Sequence, residues 1–399
     1  MTWSVGDQKT QIRTLLSMSG LILSVIGFLT GTYVILVAGI FFLMASFAAR
    51  LYLLYLIRHL TLENKDLSVS LSAGESGTLT LEFASSARLP FYSLSGRMTG
   101  ESLFCFSDHP ERKAQEFHFR MTVPAKKKII ISCPVFALQR GTGRIRALEL
   151  KSADPFHILS CTLTLNEMIR SRIIIYPKPE MIQNSHAFLH DNAGFTFVPS
   201  SLYQDETAPA GTRDYQLSDP FRQIHWKASA RLGKLQTKTF EKVAQISWTF
   251  LFLSAPVYRA SQTTETFESC LSAAAYLTGY ACRHQIPYDL FSNTKPMGTQ
   301  LITGLAETSG RMQLKKAWTF LSFLQIWQMK TRVDQAARVI HSKLTAKKVI
   351  FIMDLDPDAD ANRLFVPWIR EGHQVYQLKR SEKGLSLAPV RAEEGAFHG

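Results

Sequence analysis

"KKVIFIMDLDPDADANRLFVPWIREGHQVYQLK", residues Lys347 to Lys379, changes its pattern twice. "KKVIFIMDL" is an apolar run of strand length, "DANRLFVPWIREG" reads as a helix ending at Gly372, and "HQVYQLK" reads as a strand again. A strand, a helix and a strand make the repeating unit of a parallel sheet. The same alternation runs upstream. "ISWTFLFL" is a buried strand and "IPYDLFS" the next one. Between them a helix is expected within Glu265–His284, because Phe267, Cys270, Leu271, Ala274, Leu277 and Ala281 recur at spacings of three and four. A long amphipathic segment, Arg311–Lys343, precedes the opening stretch. Residues 245–380 are therefore expected to form an α/β open-sheet domain with helices on both faces, followed by a flexible tail over 381–399.

Just before this domain lies "GTRDYQLSDPFRQIHWKASARLGKLQTK", Gly211 to Lys238, with six Lys or Arg against two Asp. Asp219 suits an N-cap, Pro220 the first helical position and Gly233 the residue past the end. Phe221, Ile224, Ala228 and Leu232 then make a stripe at helical spacing, expected to pack inward. Arg222, Trp226 and Ser229 fall on another face, where the Trp226 ring lies one turn from the Arg222 guanidinium. The segment reads as strand, capped helix, strand, inside a linker and signature region over 178–244.

Residues 60–177 alternate with period two. "LSVSLSAGESGTLTLEF" puts Leu67, Val69 and Leu71 on one face, then Leu79, Leu81 and Phe83, around a turn at Ala73–Gly77. "FHFRMTV", "KKIIISCPVF", "GRIRALEL" and "RIIIYP" continue the pattern. This is the spacing of a β-sandwich of immunoglobulin-like architecture. Residues 1–58 are different again. The 36 residues from Thr14 to Ala49 contain no Asp, Glu, Lys, Arg or His. That is too long for one span of about 20 residues and fits a two-helix transmembrane hairpin, Leu15–Thr30 and Tyr33–Leu54, turning at Gly31-Thr32. A signal peptide has a shorter apolar core. Lys9 and Arg13 before the hairpin and Arg50, Arg58 and Lys65 after it place both ends in the cytoplasm.

Length and composition set bounds. A chain of 399 residues exceeds one ordinary core, and 46% hydrophobic with 19% charged residues describes a folded chain. The net charge of +13 favours an anionic partner, either nucleic acid or an acidic membrane leaflet, and a membrane protein with a solvated basic face accounts for it. The five cysteines, Cys105, Cys133, Cys161, Cys270 and Cys282, are widely spaced without a C-x-x-C pair, which argues against a disulfide framework or a zinc site.

The segment "TRDYQLSDPFRQIHWKASARLGKL" resembles the signature of the bacterial domain of unknown function 58 family, whose pattern is Arg-Glu-Tyr, Gly-Asp, Arg, Ile, Trp and Ser-Ala-Arg. The matching positions are Arg213, Asp214, Tyr215, Asp219, Arg222, Ile224, Trp226, Ser229, Ala230 and Arg231, with Asp214 in place of Glu and Ser218 in place of Gly. "QRGTGRIRALEL", "DPFHIL" and "IIYPKP" are similar to further family segments, and "MDLDPDADANRLFVPWIREGHQV" to the end of its von Willebrand factor A-like domain. The resemblance implies a bacterial inner-membrane protein with two N-terminal spans and a von Willebrand factor A-like domain. It also implies a MoxR-type AAA+ ATPase as partner, with a transglutaminase-like membrane protein as a further one.

Three places bear on chemistry. The metal loop of a von Willebrand factor A domain, Asp-x-Ser-x-Ser, has Ser254 for its Asp and Pro256 for a Ser here, so no metal and no cofactor are expected. Asp354, Asp356, Asp358 and Asp360 alternate at a strand's end but match a calcium loop poorly, with Ala359 for Gly and Phe365 for Glu. His225 and Ser229 lie one helical turn apart, near Asp219, without an elbow or oxyanion loop. No nucleic-acid fold signature accompanies the basic residues. The expectation is a non-enzymatic membrane adaptor or scaffold with both soluble domains in the cytoplasm, in which Arg213, Arg222 and Arg231 pair with Asp214 and Asp219 and the signature serves docking. The alternative is a hydrolase using the His225 neighbourhood or the Asp354–Asp360 cluster.

Overall fold

A computed structural model of the chain describes residues 3–390 apart from 9–10, 65, 109–110, 112–113, 155–159, 166–169, 184–194, 198–203, 254–263, 295–300, 329–330, 345, 355–363 and 382–383. The chain divides into two units, Met1–Lys178 and Pro179–Gly399.

The first unit begins with a strand that the sequence reading did not include, β1 (Trp3–Gln8). Two packed helices follow, α1 (Gln11–Thr30) and α2 (Tyr33–His59), joined at Gly31, whose φ of 65° lies in the left-handed region. The helix axes approach closely because glycines face the seam. A Cβ on Gly27 would stand 2.4 Å from the Leu36 backbone nitrogen, and one on Gly39 2.5 Å from that of Ser24. Outward, Leu21, Phe28, Val34, Val37, Phe41 and Phe47 are exposed. Of the two helices, α2 is long and apolar enough to cross a membrane by length and composition, and the described apolar part of α1, Thr14–Thr30, is shorter. The far end of α2 is held differently. Ala49 and Leu53 are buried in the β core, Tyr52 donates to the Pro90 carbonyl at 2.6 Å, and the Tyr55 hydroxyl accepts from Arg88 N–H at 3.0 Å.

The remaining strands of this unit are β2 (Leu60–Leu62), β3 (Asp66–Ser72), β4 (Ser76–Ser85), β5 (Phe91–Gly100), β6 (Phe104–Cys105) and β7 (Glu116–Val123). They continue with β8 (Lys128–Ala137), β9 (Gly141–Gly143), β10 (Ile145–Ala153), β11 (Ser160–Leu165) and β12 (Arg170–Tyr176). Sheets of order β1-β11-β10-β5-β7, β2-β4-β8-β6 and β3-β12-β9 result. Their inward residues, among them Leu81, Phe83, Leu94, Met98, Val135, Leu150, Leu163 and Ile175, form one buried cluster. The period-two stretches do form strands, as expected, and Leu67, Leu71, Leu79, Leu81 and Phe83 do face the core. Period two fixes the face and not the partner, so β3 pairing parallel with β12 was invisible in it.

The second unit has strands β13 (Phe195–Phe197), β14 (Gln204–Asp214), β15 (Gln236–Gln245), β16 (Ser247–Phe252), β17 (Tyr288–Ser292), β18 (Thr303–Thr308), β19 (Lys348–Ile352), β20 (Gln374–Ser381) and β21 (Gly384–Pro389). Its helices are α3 (Trp226–Leu232), α4 (Thr264–Arg283), α5 (Arg311–Phe323), α6 (Val333–His341) and α7 (Val366–Arg370). Six strands form one sheet of order β18-β17-β16-β19-β20-β21. The central four run parallel, and the edges β18 and β21 run antiparallel to their neighbours. Every residue of β16, β17 and β19 is buried. Trp248, Phe250, Tyr288 and Phe351 pack toward α4 and α5, while Leu251, Ile350, Ile352 and Val375 pack toward α6 and Trp368. Helices thus cover both faces. Three expectations need correction. The sheet is not wholly parallel, and the expected tail contributes β21, whose Leu385 is buried against β20. Arg311–Lys343 is likewise broken, by a 3-10 turn at Ile326–Gln328.

Candidate functional site

The signature segment is an excursion between the two arms of a ladder. β14 and β15 pair antiparallel, with Arg213 opposite Thr237 and Asp214 opposite Gln236. Between them the chain makes a turn, a 3-10 turn at Phe221–Gln223, an isolated bridge from Ile224 to Thr237, and α3. The single helix expected from Asp219 to Gly233 is therefore two short elements. The cause is that Pro220 and Ile224 both take extended backbone angles, and Ile224 is claimed by the β15 strand. Gly233 does end α3, with φ 65°.

Asp219 is not the helix cap. Arg213 grips its carboxylate through two bonds, Nη1 at 2.9 Å and Nη2 at 2.6 Å. Gln216 N–H donates to it at 2.9 Å and the Thr237 hydroxyl at 3.1 Å, and the Tyr215 hydroxyl donates to its main-chain carbonyl at 3.1 Å. The Arg213 bonds first, then the Gln216 amide, hold this carboxyl below its usual range, against a smaller opposing effect of desolvation. The cap is His225, whose Nδ1 accepts from Ala228 N–H at 3.1 Å. Ser229 Oγ donates to the His225 carbonyl at 3.1 Å and accepts from Gln236 N–H at 2.9 Å. Gln236 Nε2 donates to Asp214 Oδ1 at 2.5 Å.

The structure therefore brings Arg213, Asp214, Tyr215, Asp219 and Ser229 into one bonded framework. The Arg213–Asp219 pair is one the sequence anticipated. Thr237 and Gln236 were missed, since their partners lie far along the chain, and Gln216 because its bond to Asp219 is made by a main-chain amide that no side-chain pattern marks. Arg222, Trp226 and Arg231 are exposed. Arg222 and Trp226 sit in different elements, so they do not share one helix face. The inward stripe also fails: Ile224 is buried, but Phe221 is 74% and Leu232 60% exposed. Breaking the helix at Ile224 rotates the two halves out of phase.

Asp354 lies buried just past the carboxyl end of β19, while Ser254, Pro256, Asp356, Asp358 and Asp360 fall outside the described residues. Among the described residues no group of three His, Cys, Asp or Glu is placed to hold a metal ion. At the opposite end of the same strands is an ion cluster that sequence reasoning did not find. Lys348 Nζ donates to Asp289 at 2.6 Å and to Glu307 at 2.5 Å, with Lys348 and Asp289 both buried. His373 Nδ1 accepts from Lys348 N–H at 3.1 Å.

No protein-family model matches the chain, and no curated protein matches it. Among solved structures, 41% of the chain aligns with 9% of trypsin-activated alpha-2-macroglobulin from Escherichia coli, at 16% identity and a TM-score of 0.21. A Salmonella alpha-2-macroglobulin aligns over 38% of this chain and 9% of its own, at 14% identity and 0.20. A Bacillus subtilis sporulation control protein aligns over 35% of this chain and 56% of its own, at 12% identity and 0.14. Scores this low carry no argument about fold or function.

Proposed function

We propose that the protein is a non-enzymatic, membrane-anchored adaptor of the domain of unknown function 58 type. In this reading it works with a MoxR-type AAA+ ATPase in the assembly or maturation of bacterial envelope proteins. One observation carries the choice of adaptor over enzyme. The side chains a hydrolase would draw on, His225, Ser229, Asp219 and Asp214, are spent on the segment's own hydrogen bonds, while large apolar and cationic side chains point outward. A nucleophile needs an imidazole facing its hydroxyl. Here Ser229 Oγ serves main-chain atoms on both sides.

Three features support the rest. The second unit's strand order, reversing direction at β16 with helices on both faces, is compatible with a von Willebrand factor A-like sheet. The apolar helices α1 and α2 with exposed aliphatic faces suit two spans. β1 pairs with β11, so the chain before α1 and the chain after α2 belong on one side of a bilayer, which suits a hairpin with both ends cytoplasmic. The test is purification of the full chain in mild detergent with and without a non-hydrolysable ATP analogue. An AAA+ ATPase enriched by the analogue is the expected result. Metal-dependent turnover in a hydrolase screen, with no such partner, would overturn the reading.

A further inference from the structure

The end of α2 is tied to the β core by contacts that run in order along it. The His59 carbonyl accepts from Ser86 N–H at 3.0 Å, the Tyr55 hydroxyl accepts from Arg88 N–H at 3.0 Å, and the Tyr52 hydroxyl donates to the Pro90 carbonyl at 2.6 Å. As the chain advances from Ser86 to Pro90, its partners on α2 step back from His59 to Tyr52, toward the charge-free run. That run ends at Ala49, about 5 Å along the helix axis from Tyr52. Helical side chains lean toward the helix N-terminus, so the Tyr52 hydroxyl lies nearer still. Ala49 is itself buried in the β core cluster. The β core therefore reaches the depth at which the charge-free run ends. Leu89, between two residues bonded to α2, is 48% exposed there, and Tyr92 is 58% exposed, while Phe91 turns inward. The Tyr92 side chain stays close to α2, near enough for its hydroxyl to act on that of Tyr52. Lys126 N–H donates to the Ala87 carbonyl at 3.1 Å, which seats the turn carrying Lys126 and Lys127 beside the same corner. Arg88, Lys126 and Lys127 are exposed.

We propose that the corner formed by residues 88–92 is a membrane-contact site. Leu89 and Tyr92 enter the headgroup boundary of the leaflet that α2 leaves, and Arg88, Lys126 and Lys127 lie at the depth of its phosphates. The inference rests on the proposed crossing of α2, and depth names the occupant. The charge-free part of α2, residues 33–49, is only about 26 Å long against about 30 Å of hydrocarbon. A crossing α2 therefore draws its next turn into lipid, where Leu51 and Leu54 are exposed, with Arg50 reaching out to the phosphates. Tyr52 and the Pro90 corner bonded to it lie on that turn. A tyrosine at this boundary is favoured, and cations just beyond it meet anionic headgroups. The contact is rigid, because α2 ends at His59 and β2 starts at Leu60 with no linker between them. The β domain is thus seated on the bilayer, not hung from it.

Three single-cysteine reporters in the full chain test this. Phe47→Cys lies on the exposed face of α2, Leu89→Cys at the corner, and Ser76→Cys at the far end of β4, about 30 Å from Ser85, which adjoins the corner. All five native thiols are buried, so the introduced thiol is labelled selectively. Each labelled chain is placed in nanodiscs of phosphatidylcholine and phosphatidylglycerol, with and without a phospholipid carrying a spin-label quencher high on its acyl chain. The quencher is expected to lower emission at least twofold at Phe47→Cys and at Leu89→Cys, and to leave Ser76→Cys unchanged. Tyr92→Cys gives the corner reading a second time should Leu89→Cys misfold. Quenching at Phe47→Cys with none at either corner position overturns the inference and leaves the anchor standing. If the corner label is then also shielded from aqueous iodide, the surface belongs to a protein partner. No quenching at Phe47→Cys overturns the anchoring itself, and the inference falls with it. Equal quenching at Ser76→Cys overturns the assignment to this corner.

Discussion

Asp219 collects four side-chain bonds from three residues, so the segment's geometry depends on one carboxylate and on its charge. Its pKa is lowered in the folded chain relative to the ordinary 3.8. A lowered carboxyl contributes stability that is complete above the unfolded value and is lost as pH falls through the folded one. Hydrogen-exchange protection of the Gln216 amide is therefore expected to hold at neutral pH and to collapse only below the ordinary carboxyl range. Arg213→Lys should reduce that protection at neutral pH, because an ammonium is a point charge and cannot make the two parallel bonds. Asp219→Asn should reduce it further. Unchanged exchange in both variants would show the framework to be held elsewhere. The sequence made Arg213 and Asp219 legible as charged partners but misassigned the acid to a helix cap. Asp, Pro and a later Gly are the same residue types in a capped helix and in a turn, and only the Thr237 and Arg213 contacts, which come from the ladder, decide between them.

Elements were legible where one periodicity ran long enough. α4 has the six buried positions its spacing predicted, and β16 and β19 are buried as apolar runs should be. β1, β18 and β21 were not legible, since each is a short edge strand whose sequence does not alternate cleanly between apolar and polar residues. The buried cluster at the start of β19 was hidden for another reason: Lys348, Asp289 and Glu307 come from three strands. Burial alone would lower the Lys348 pKa, but its two carboxylates outweigh that and raise it. A raised ammonium contributes stability fully below its unfolded value of 10.5, lost as pH rises through the folded one. Lys348→Ala strands a buried carboxylate and should destabilise the second unit by about 3–5 kcal/mol. Lys348→Met with Asp289→Leu should cost much less, because the pair leaves together. Thermal unfolding of the two variants settles it; a double variant as unstable as the single one contradicts the pairing. The helix pair has its own test. Gly27→Leu puts a side chain against the Leu36 backbone, which cannot yield as a side-chain tip would, and overpacking should cost about 1–3 kcal/mol. Thermal stability in detergent should drop, whereas an alanine at Gly279, which has nothing within 4 Å of a Cβ and lies in α4, should leave it unchanged or raised.

At the scale of the whole chain, composition separated a hydrophobic front from the strand-rich and α/β stretches that follow it, but charge alone gave little leverage on topology because the turn at Gly31-Thr32 is so short. Strand pairing constrains the proposed anchoring in a second way. A strand cannot hydrogen-bond to another across a bilayer, since exposed backbone groups are not tolerated in hydrocarbon. β1 lies against β11 over Trp3–Gln8, with Trp3 opposite Leu165 and Val5 opposite Leu163, and in the proposed anchoring that pairing has α1 and α2 return the chain to the side it left. That requires an even number of crossings. Of two helices, both cross or neither does, and the proposed two-span anchor is the case in which both do. Tags at the two termini should therefore share one fate: both protected from added protease in spheroplasts, both removed in inverted vesicles. One tag cleaved in each preparation would mean a single span, and β1 would then have to leave the sheet in the membrane-bound protein. Replacing Val5 by Pro distinguishes the cases further. Loss of a ladder bond should loosen β1 from β11 and speed proteolysis of the N-terminal tag in inverted vesicles, without moving either tag across the membrane.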